Sequence, residues 1–222
     1  IILKSLGKKA KNFITIKDIP FLPTRLFKSF ELKSIIEENI FKTLNSSGTT
    51  GQKTSRIVLD KFNASNQVKV LNKIVSDVLG KKRLPMLIID SEDILKNKKK
   101  ISARTAAVNG FSIFGYDHTF LLNSDMKINI SRLTSFLEKH KNEKIFIFGF
   151  TFIIWNFFCE ALKNQSIKLN LNNCILIHGG GWKKLHSKNI NNQHLKTHLK
   201  SKFNLKKIFN YYGMVEQTGS IF

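Results

Sequence analysis

Two cysteines in 222 residues, Cys159 and Cys174, are too few for a disulfide-built secreted scaffold. Both sit in apolar runs, where a free thiol acts as a small core residue, so a reducing, cytoplasmic setting is expected. Carboxylates are scarce: 15 Asp plus Glu stand against 37 Lys plus Arg, a net charge of +22. Arginine is scarcer still. Arg25, Arg56, Arg83, Arg104 and Arg132 are the only five, which leaves 32 Lys (37 − 5). Base and phosphate recognition favours the bidentate Arg fork. The lysines are scattered among abundant Asn, Ile and Phe, as an AT-rich coding sequence gives without selection for binding. Net charge speaks to solubility and non-specific association, so no specific nucleic-acid partner is expected.

A long hydrophobic run is missing too. Residues 145–159 form the longest uncharged stretch, interrupted by Gly149, Thr151 and Asn156. That is short of the ~20 residues of a membrane-spanning helix, and no membrane span is expected. There is no internal repeat and no long low-complexity linker. The chain begins with Ile rather than Met, shows no signal peptide or targeting helix, and stops abruptly at Gly219, Ser220, Ile221 and Phe222. It reads as a fragment of a longer reading frame.

What is present suffices for a core: 42% of the residues are hydrophobic and 19 are Phe, which excludes disorder as a description of the whole chain. Apolar runs at 84–89, 145–148 and 174–177 read as strands, and 207–210 as a final one. Residues 39–44 read as a strand and 55–59 as a short extended segment. Val68, Leu71, Val75 and Val78 recur at helical spacing, with Gly80 as a C-terminal stop. Further helices are expected over 151–162 and 191–203, and a solvated loop over 97–100. The alternation predicts an α/β domain with a largely parallel sheet flanked by helices. In such sheets ligands bind beyond the carboxyl ends of the strands.

Three polar tracts fall at those ends. The first is Ser46, Ser47, Gly48, Thr49, Thr50 and Gly51, four hydroxyls and two glycines in six residues, followed by Gln52 and Lys53. Such a loop can wrap phosphate oxygens at little steric cost, or form a plain turn. It is not a Walker A loop, because Gln rather than Gly precedes the Lys. The second is His178, Gly179, Gly180, Gly181 and Trp182, where the backbone admits a flat ligand closely or simply turns tightly. The third runs from Tyr212 and Gly213 through Met214 and Val215 to Glu216, Gln217, Thr218 and Gly219. There an aromatic ring could stack on a base and a carboxylate could hold a hard cation.

In this order the tracts resemble the adenylate-forming superfamily. Residues 46–57, 84–90, 179–185 and 212–220 are similar to its acyl-protein synthetase family. That family is the fatty-acid-activating component of bacterial luciferase operons, with relatives in surface-polysaccharide clusters. The resemblance runs from about residue 20 to the end. It implies a partial N-terminal adenylation domain over 1–222 without the C-terminal lid, and an ATP-dependent ligase acting in two steps. A fatty-acid carboxylate attacks the α-phosphate of ATP, and a cysteine thiol then captures the acyl group for delivery to a reductase or other acceptor protein.

The same resemblance implies the roles. Ser46, Ser47, Gly48, Thr49, Thr50 and Gly51 would cradle the ATP phosphates. Gly179, Gly180 and Gly181 would line the adenine slot, with Tyr212 stacked on the base and Gly213 beside it. Glu216 would hold Mg2+. Phe150 and Trp155, in the apolar stretch 150–158, are candidates for the acyl tunnel, although core packing is the expected role of most side chains there. His118 is the candidate beside the substrate carboxylate, or else an ordinary loop residue. The chain also departs from the pattern. Lys53 and Thr54 stand where relatives have Pro and Lys, and Val215 replaces the Thr before the metal-binding Glu, a loss that Thr218 could offset. The family's ribose-binding Asp, catalytic Lys and acyl-accepting Cys have no counterpart in these residues. Cys159 and Cys174 lack electropositive neighbours in sequence and are not assigned that role. The alternatives are a phenylacetate–coenzyme A ligase type of enzyme, transferring to coenzyme A, and a non-catalytic basic module that binds nucleic acid.

Overall fold

A strand that is apolar along nearly all of its length needs cover on both faces, and Leu84–Ser91 (polar only at Asp90 and Ser91), Ile145–Phe150 and Cys174–Gly179 (polar only at His178) meet that condition. The computed structural model describes residues 7, 15–19, 21–46, 53–96, 103–163, 165, 167–182, 185 and 188–217. The chain divides into two compact units, residues 1–61 and 62–222.

In the first unit, β1 (Lys42–Asn45) and β2 (Arg56–Leu59) pair antiparallel as a hairpin. The expected strand over 39–44 is therefore shifted. Glu37–Asn39 form a 3-10 turn, and pairing begins only where Lys42 meets Leu59. The hairpin forms its own two-stranded sheet, separate from the parallel one.

All of α1 (Lys61–Leu79) but its first residue belongs to the second unit, and Gly80 at φ +94° ends the helix. Then follow β3 (Leu84–Ser91), α2 (Ala103–Ser112), β4 (Gly115–Leu122), α3 (Ile130–Lys139) and β5 (Ile145–Phe150). The short α4 (Thr151–Ile154), β6 (Cys174–Gly179), α5 (Asn192–Phe203) and β7 (Lys207–Tyr211) complete it. The five strands are parallel in the order β4-β3-β5-β6-β7. Successive residues of β3, β5 and β6 feed opposite layers. Leu87, Ile89, Ile145, Ile147 and Leu176 pack with Leu133 and Phe136 of α3 and Leu195, Leu199 and Phe203 of α5. Met86, Ile88, Phe146, Phe148, Ile175 and Ile177 pack with Val75 of α1 and Val108 and Phe111 of α2. Each such side chain contributes roughly 1.5–3 kcal/mol by leaving water.

Sequence periodicity anticipated four of these strands and missed α2, β4 and α3. β4 escaped because its first half is polar (Tyr116, Asp117, His118), which an edge strand tolerates. α3 carried a readable start: the Asn129 side chain accepts the Arg132 N–H at 2.9 Å as an N-cap. The helix expected over 151–162 is one α turn followed by a π turn at Trp155–Cys159, where the Glu160 N–H reaches the Trp155 carbonyl at 2.9 Å. Residues 97–100 lie outside the described residues. Among the described residues no helix is long and apolar enough to cross a membrane.

The start of β4 and the end of α3 are tied by a polar network. The ring nitrogens of His140 lie 2.7 Å from an Asp117 oxygen and 2.7 Å from a Glu143 oxygen. Lys139 donates to Asp117 at 2.7 Å and the Tyr116 hydroxyl to Glu143 at 2.5 Å. Lys139, then His140, hold the Asp117 carboxyl below its ordinary range, and His140, then Tyr116, do the same for Glu143. A depressed carboxyl stabilises the fold above its unfolded titration range and loses that contribution as pH falls through the folded one. Urea-unfolding midpoints are therefore expected to be flat above about pH 5 and to drop below about pH 4. Asp117→Asn should flatten that drop, and an unchanged profile would dissociate the network from acid stability.

Candidate functional site

The strand order reverses direction between β3 and β5, the place where parallel sheets open a crevice beyond their carboxyl ends. At that end the register sets Phe150 of β5 beside Gly179 of β6, and Gly179 beside Tyr211 of β7. The glycines are needed for this approach. A Cβ on Gly179 would lie 3.0 Å from the Tyr211 carbonyl oxygen, and one on Gly180 would lie 2.9 Å from the Phe150 ring. Gly180 also holds φ +96°, a conformation other residues rarely take. A Cβ on Gly213 would meet the Tyr211 hydroxyl at 2.6 Å, whereas one on Gly181 would face open space. The result is a rim of backbone and aromatic rings, with Tyr212 just beyond β7 and 51% exposed.

Beneath the rim is a buried polar clamp. The Thr151 hydroxyl donates to the Gly179 carbonyl at 2.9 Å and lies 2.9 Å from His178 Nδ1. Its one hydrogen is used on Gly179, so His178 Nδ1 is the donor in the second bond. Burial, then the charge of Lys196, pushes the His178 imidazole down to about 4, and the ring is neutral near pH 7. Trp182 stands edge-on to it with centroids 6.1 Å apart. Sequence reading noted His178 only as the head of a glycine motif and passed over Thr151. The available signal was a polar residue closing each of two otherwise apolar strands.

A second buried polar group closes β3. Asp90, with its side chain 1% exposed, is held by Arg104 of α2, whose Nε donates at 2.6 Å. The Ser91 backbone N–H donates to the same carboxylate at 2.6 Å. Glu216 lies half-buried in a turn closed by the Gln217 N–H on the Met214 carbonyl at 3.2 Å. Among the described residues no three His, Cys, Asp or Glu side chains gather as a metal site. One carboxylate is enough for Mg2+, which keeps most of its shell as water and phosphate oxygens. The open face of Gly181 and the exposed Tyr212 ring likewise suit a flat base.

The other expected site residues are distributed differently. Ser46 belongs to the first unit, where it closes the hairpin: its N–H donates to the Ser55 carbonyl at 3.0 Å and its Oγ accepts the Ser55 N–H at 2.8 Å. Ser47, Gly48, Thr49, Thr50, Gly51 and Thr218 lie outside the described residues. Trp155 is 4% exposed and packs edge-on against His194 and His198 of α5, so it belongs to the core there. His118 is on strand β4 rather than in a loop, and its Nε2 donates to the Ser112 carbonyl at 2.9 Å. It lines a groove of about 610 Å³ with Glu92, Asn109 and Arg132, and β3 and β5 stand between it and β6.

Both thiols are buried, and that burial pushes Cys159 far up and Cys174 up to about 12. Neither is a nucleophile near pH 7. A thiol reagent such as dithionitrobenzoate is expected to label neither until the protein unfolds. Labelling of either residue in native buffer would reopen the question of the acyl acceptor.

The family described as "Acyl-protein synthetase, LuxE" matches residues 7–221. A long-chain-fatty-acid–luciferin-component ligase of Aliivibrio fischeri is 26% identical over 203 residues, covering 89% of this chain and 52% of that protein. The chain thus spans about half the length of that curated relative. Coronafacic acid ligase of Pectobacterium brasiliense is 18% identical with a TM-score of 0.44, over 75% of this chain and 28% of its own. The amide bond synthetase McbA of Marinactinospora thermotolerans is 12% identical with a TM-score of 0.47, over 81% of this chain and 30% of its own.

Proposed function

This chain belongs to the acyl-protein synthetase family, and we propose that it supplies the nucleotide- and acid-binding part of an ATP-dependent ligase. Its substrate on this reading is a long-chain fatty acid, as in the name of the Aliivibrio fischeri relative. The carboxylate displaces pyrophosphate from ATP to give an acyl-adenylate, and a thiol on a protein then takes the acyl group. A carboxylate is a poor acyl donor until its oxygen joins a good leaving group, and dividing the transfer lowers each barrier.

The observation that carries this reading is the rim at the ends of β5, β6 and β7, where Gly179, Gly180 and Gly213 leave no room for a Cβ beside Phe150 and Tyr211. A flat base can lie against such a surface, with Tyr212 stacking from the solvent side. The Thr151 hydroxyl, fixed by His178, holds the Gly179 carbonyl and so keeps the Gly179–Gly180 peptide from turning. Phe150 shields the approach from the neighbouring strand and gives the fatty acid an apolar first contact. Glu216 supplies the single carboxylate toward Mg2+, whose charge would offset that building on the phosphate oxygens. Ser46 to Gly51 would act on the phosphates as hydroxyl and backbone donors. The acceptor thiol comes from outside the two buried cysteines, on an acceptor protein or elsewhere in the ligase.

The test is carboxylate-dependent ATP–pyrophosphate exchange by the complete reading frame, with a long-chain fatty acid, with phenylacetate and with no acid. Exchange with the fatty acid alone is expected. Exchange driven by phenylacetate would move the protein to the coenzyme A ligase type, and none with any acid would remove the catalytic reading.

A further inference from the structure

Fourteen of the fifteen carboxylates lie in the first 160 residues and the last is Glu216, so residues 161–215 hold ten lysines and no Asp or Glu. Drift toward lysine in an AT-rich gene accounts for the cations but not for the loss of every carboxylate over that length. The fold gathers several of these lysines at one end. The loop before β6 is tied to the end of α5 by the Leu171 N–H on the Phe203 carbonyl at 2.8 Å and by Asn204 Nδ2 on Asn170 Oδ1 at 2.9 Å. This is the amino end of β6 and β7, opposite the glycine rim. Lys168, Lys200, Lys202, Lys206 and Lys207 are exposed on these segments. Among the described residues, the ion pairs all fall between Glu31 and Glu143, so none engages these lysines. Lys200 and Lys202 also complement the carboxyl end of the α5 dipole, a role not open to Lys168, Lys206 or Lys207.

Between this loop and α3 runs a polar groove of about 350 Å³ lined by Lys141, Lys168, Asn170, Asn172 and Asn173. Its one carboxylate, Glu138, is paired with Lys141 at 2.5 Å. Glu143, close by, is held by His140 and Tyr116.

We propose that this lysine- and asparagine-lined end is a docking surface for an acidic segment of a partner protein. The groove is concave and offers amides beside ammonium groups, which suits carboxylate side chains on a chain segment and not a flat bilayer. No exposed large apolar side chain among the described residues falls between 114 and 211, so nothing here would insert into lipid. No arginine follows Arg132, so the patch lacks the bidentate phosphate grip of nucleic-acid surfaces. Contacts of this kind raise the rate of encounter and weaken with salt. The surface is independent of the catalytic reading, and a partner seated on it leaves the glycine rim open.

The test uses the full-length protein and a fluorescent poly-glutamate peptide, followed by anisotropy. Saturable binding is expected, weakening as salt rises from about 50 to about 300 mM. Lys168→Glu, Lys202→Glu and Lys206→Glu together should weaken it by about tenfold or more. The same number of reversals on exposed α1 positions, Lys61→Glu, Lys69→Glu and Lys73→Glu, should leave it within about twofold of the unaltered protein. Replacing the three patch lysines with Gln instead should also weaken binding, and matching thermal melts would exclude misfolding as the cause. Absence of saturable binding, or an equal loss in both charge-reversed proteins, would overturn the proposal. So would tighter binding of phosphatidylglycerol vesicles or duplex DNA through the same three lysines.

Discussion

Glu216→Ala in the complete protein is expected to lower fatty-acid-dependent ATP–pyrophosphate exchange by about 100-fold or more. Three features make the effect large. Glu216 lies five residues beyond the end of β7, in the short turn closed by Gln217 on Met214. It is the only carboxylate between residue 161 and the end of the chain, so no neighbour in sequence can take over. And Val215 stands where the resemblance implies a Thr, which leaves Thr218 as the hydroxyl nearest in sequence that could share the load. Glu216→Asp should retain part of the activity and regain more of it as Mg2+ is raised, a response that a merely structural carboxylate would not give. Glu216→Gln, of the same size but neutral, should fail as Ala does. Exchange within about twofold of the unaltered protein in Glu216→Ala would remove this residue from the site.

Arg104→Ala is expected to destabilise the second unit by about 3 kcal/mol, read as a lowered urea midpoint at an unchanged slope. The Asp90 carboxylate is almost wholly withdrawn from water and would keep only the Ser91 N–H once the guanidinium is gone. Arg104 is itself 34% exposed on its side chain, so water can partly replace it, which places the loss at the low end for a broken buried pair. Removing both partners, as Asp90→Leu with Arg104→Met, should recover most of the stability, because no unpaired charge then remains. The double variant also separates stability from function: if Asp90 serves only the fold, exchange should return with the urea midpoint. A double variant no more stable than Arg104→Ala would show that the pair is not the source of the loss.

Much of the fold was legible because a strand covered on both faces must be apolar over most of its length, and 84–89, 145–150 and 174–177 have that composition. The long α1 was legible from its spacing and from Gly80, where φ +94° favours a residue without a side chain. β4 was not, since Tyr116, Asp117 and His118 face water at a sheet edge and only its last residues, Phe120, Leu121 and Leu122, carry the core pattern. Nor was the π turn: residues 151–159 look like the start of an ordinary helix. The Glu160 N–H takes the Trp155 carbonyl five residues back, and the Trp155 ring packs against α5. Of the two roles the sequence left to Trp155, acyl tunnel or core packing, its burial against α5 matches core packing.

The sequence by itself determined the class of fold, the family and the inertness of both thiols, because each depends on local composition or on a contiguous motif. Tertiary structure alone decided which side chains share the site. Pairing in register set Phe150, Gly179 and Tyr211 in a row, brought Thr151 under the Gly179 carbonyl, and left His118 with two strands between it and β6. Those relations join residues about 30 positions apart or more, and nothing in the chain between them records the order in which strands lie side by side. That order follows from how the whole set of apolar faces can be buried at once.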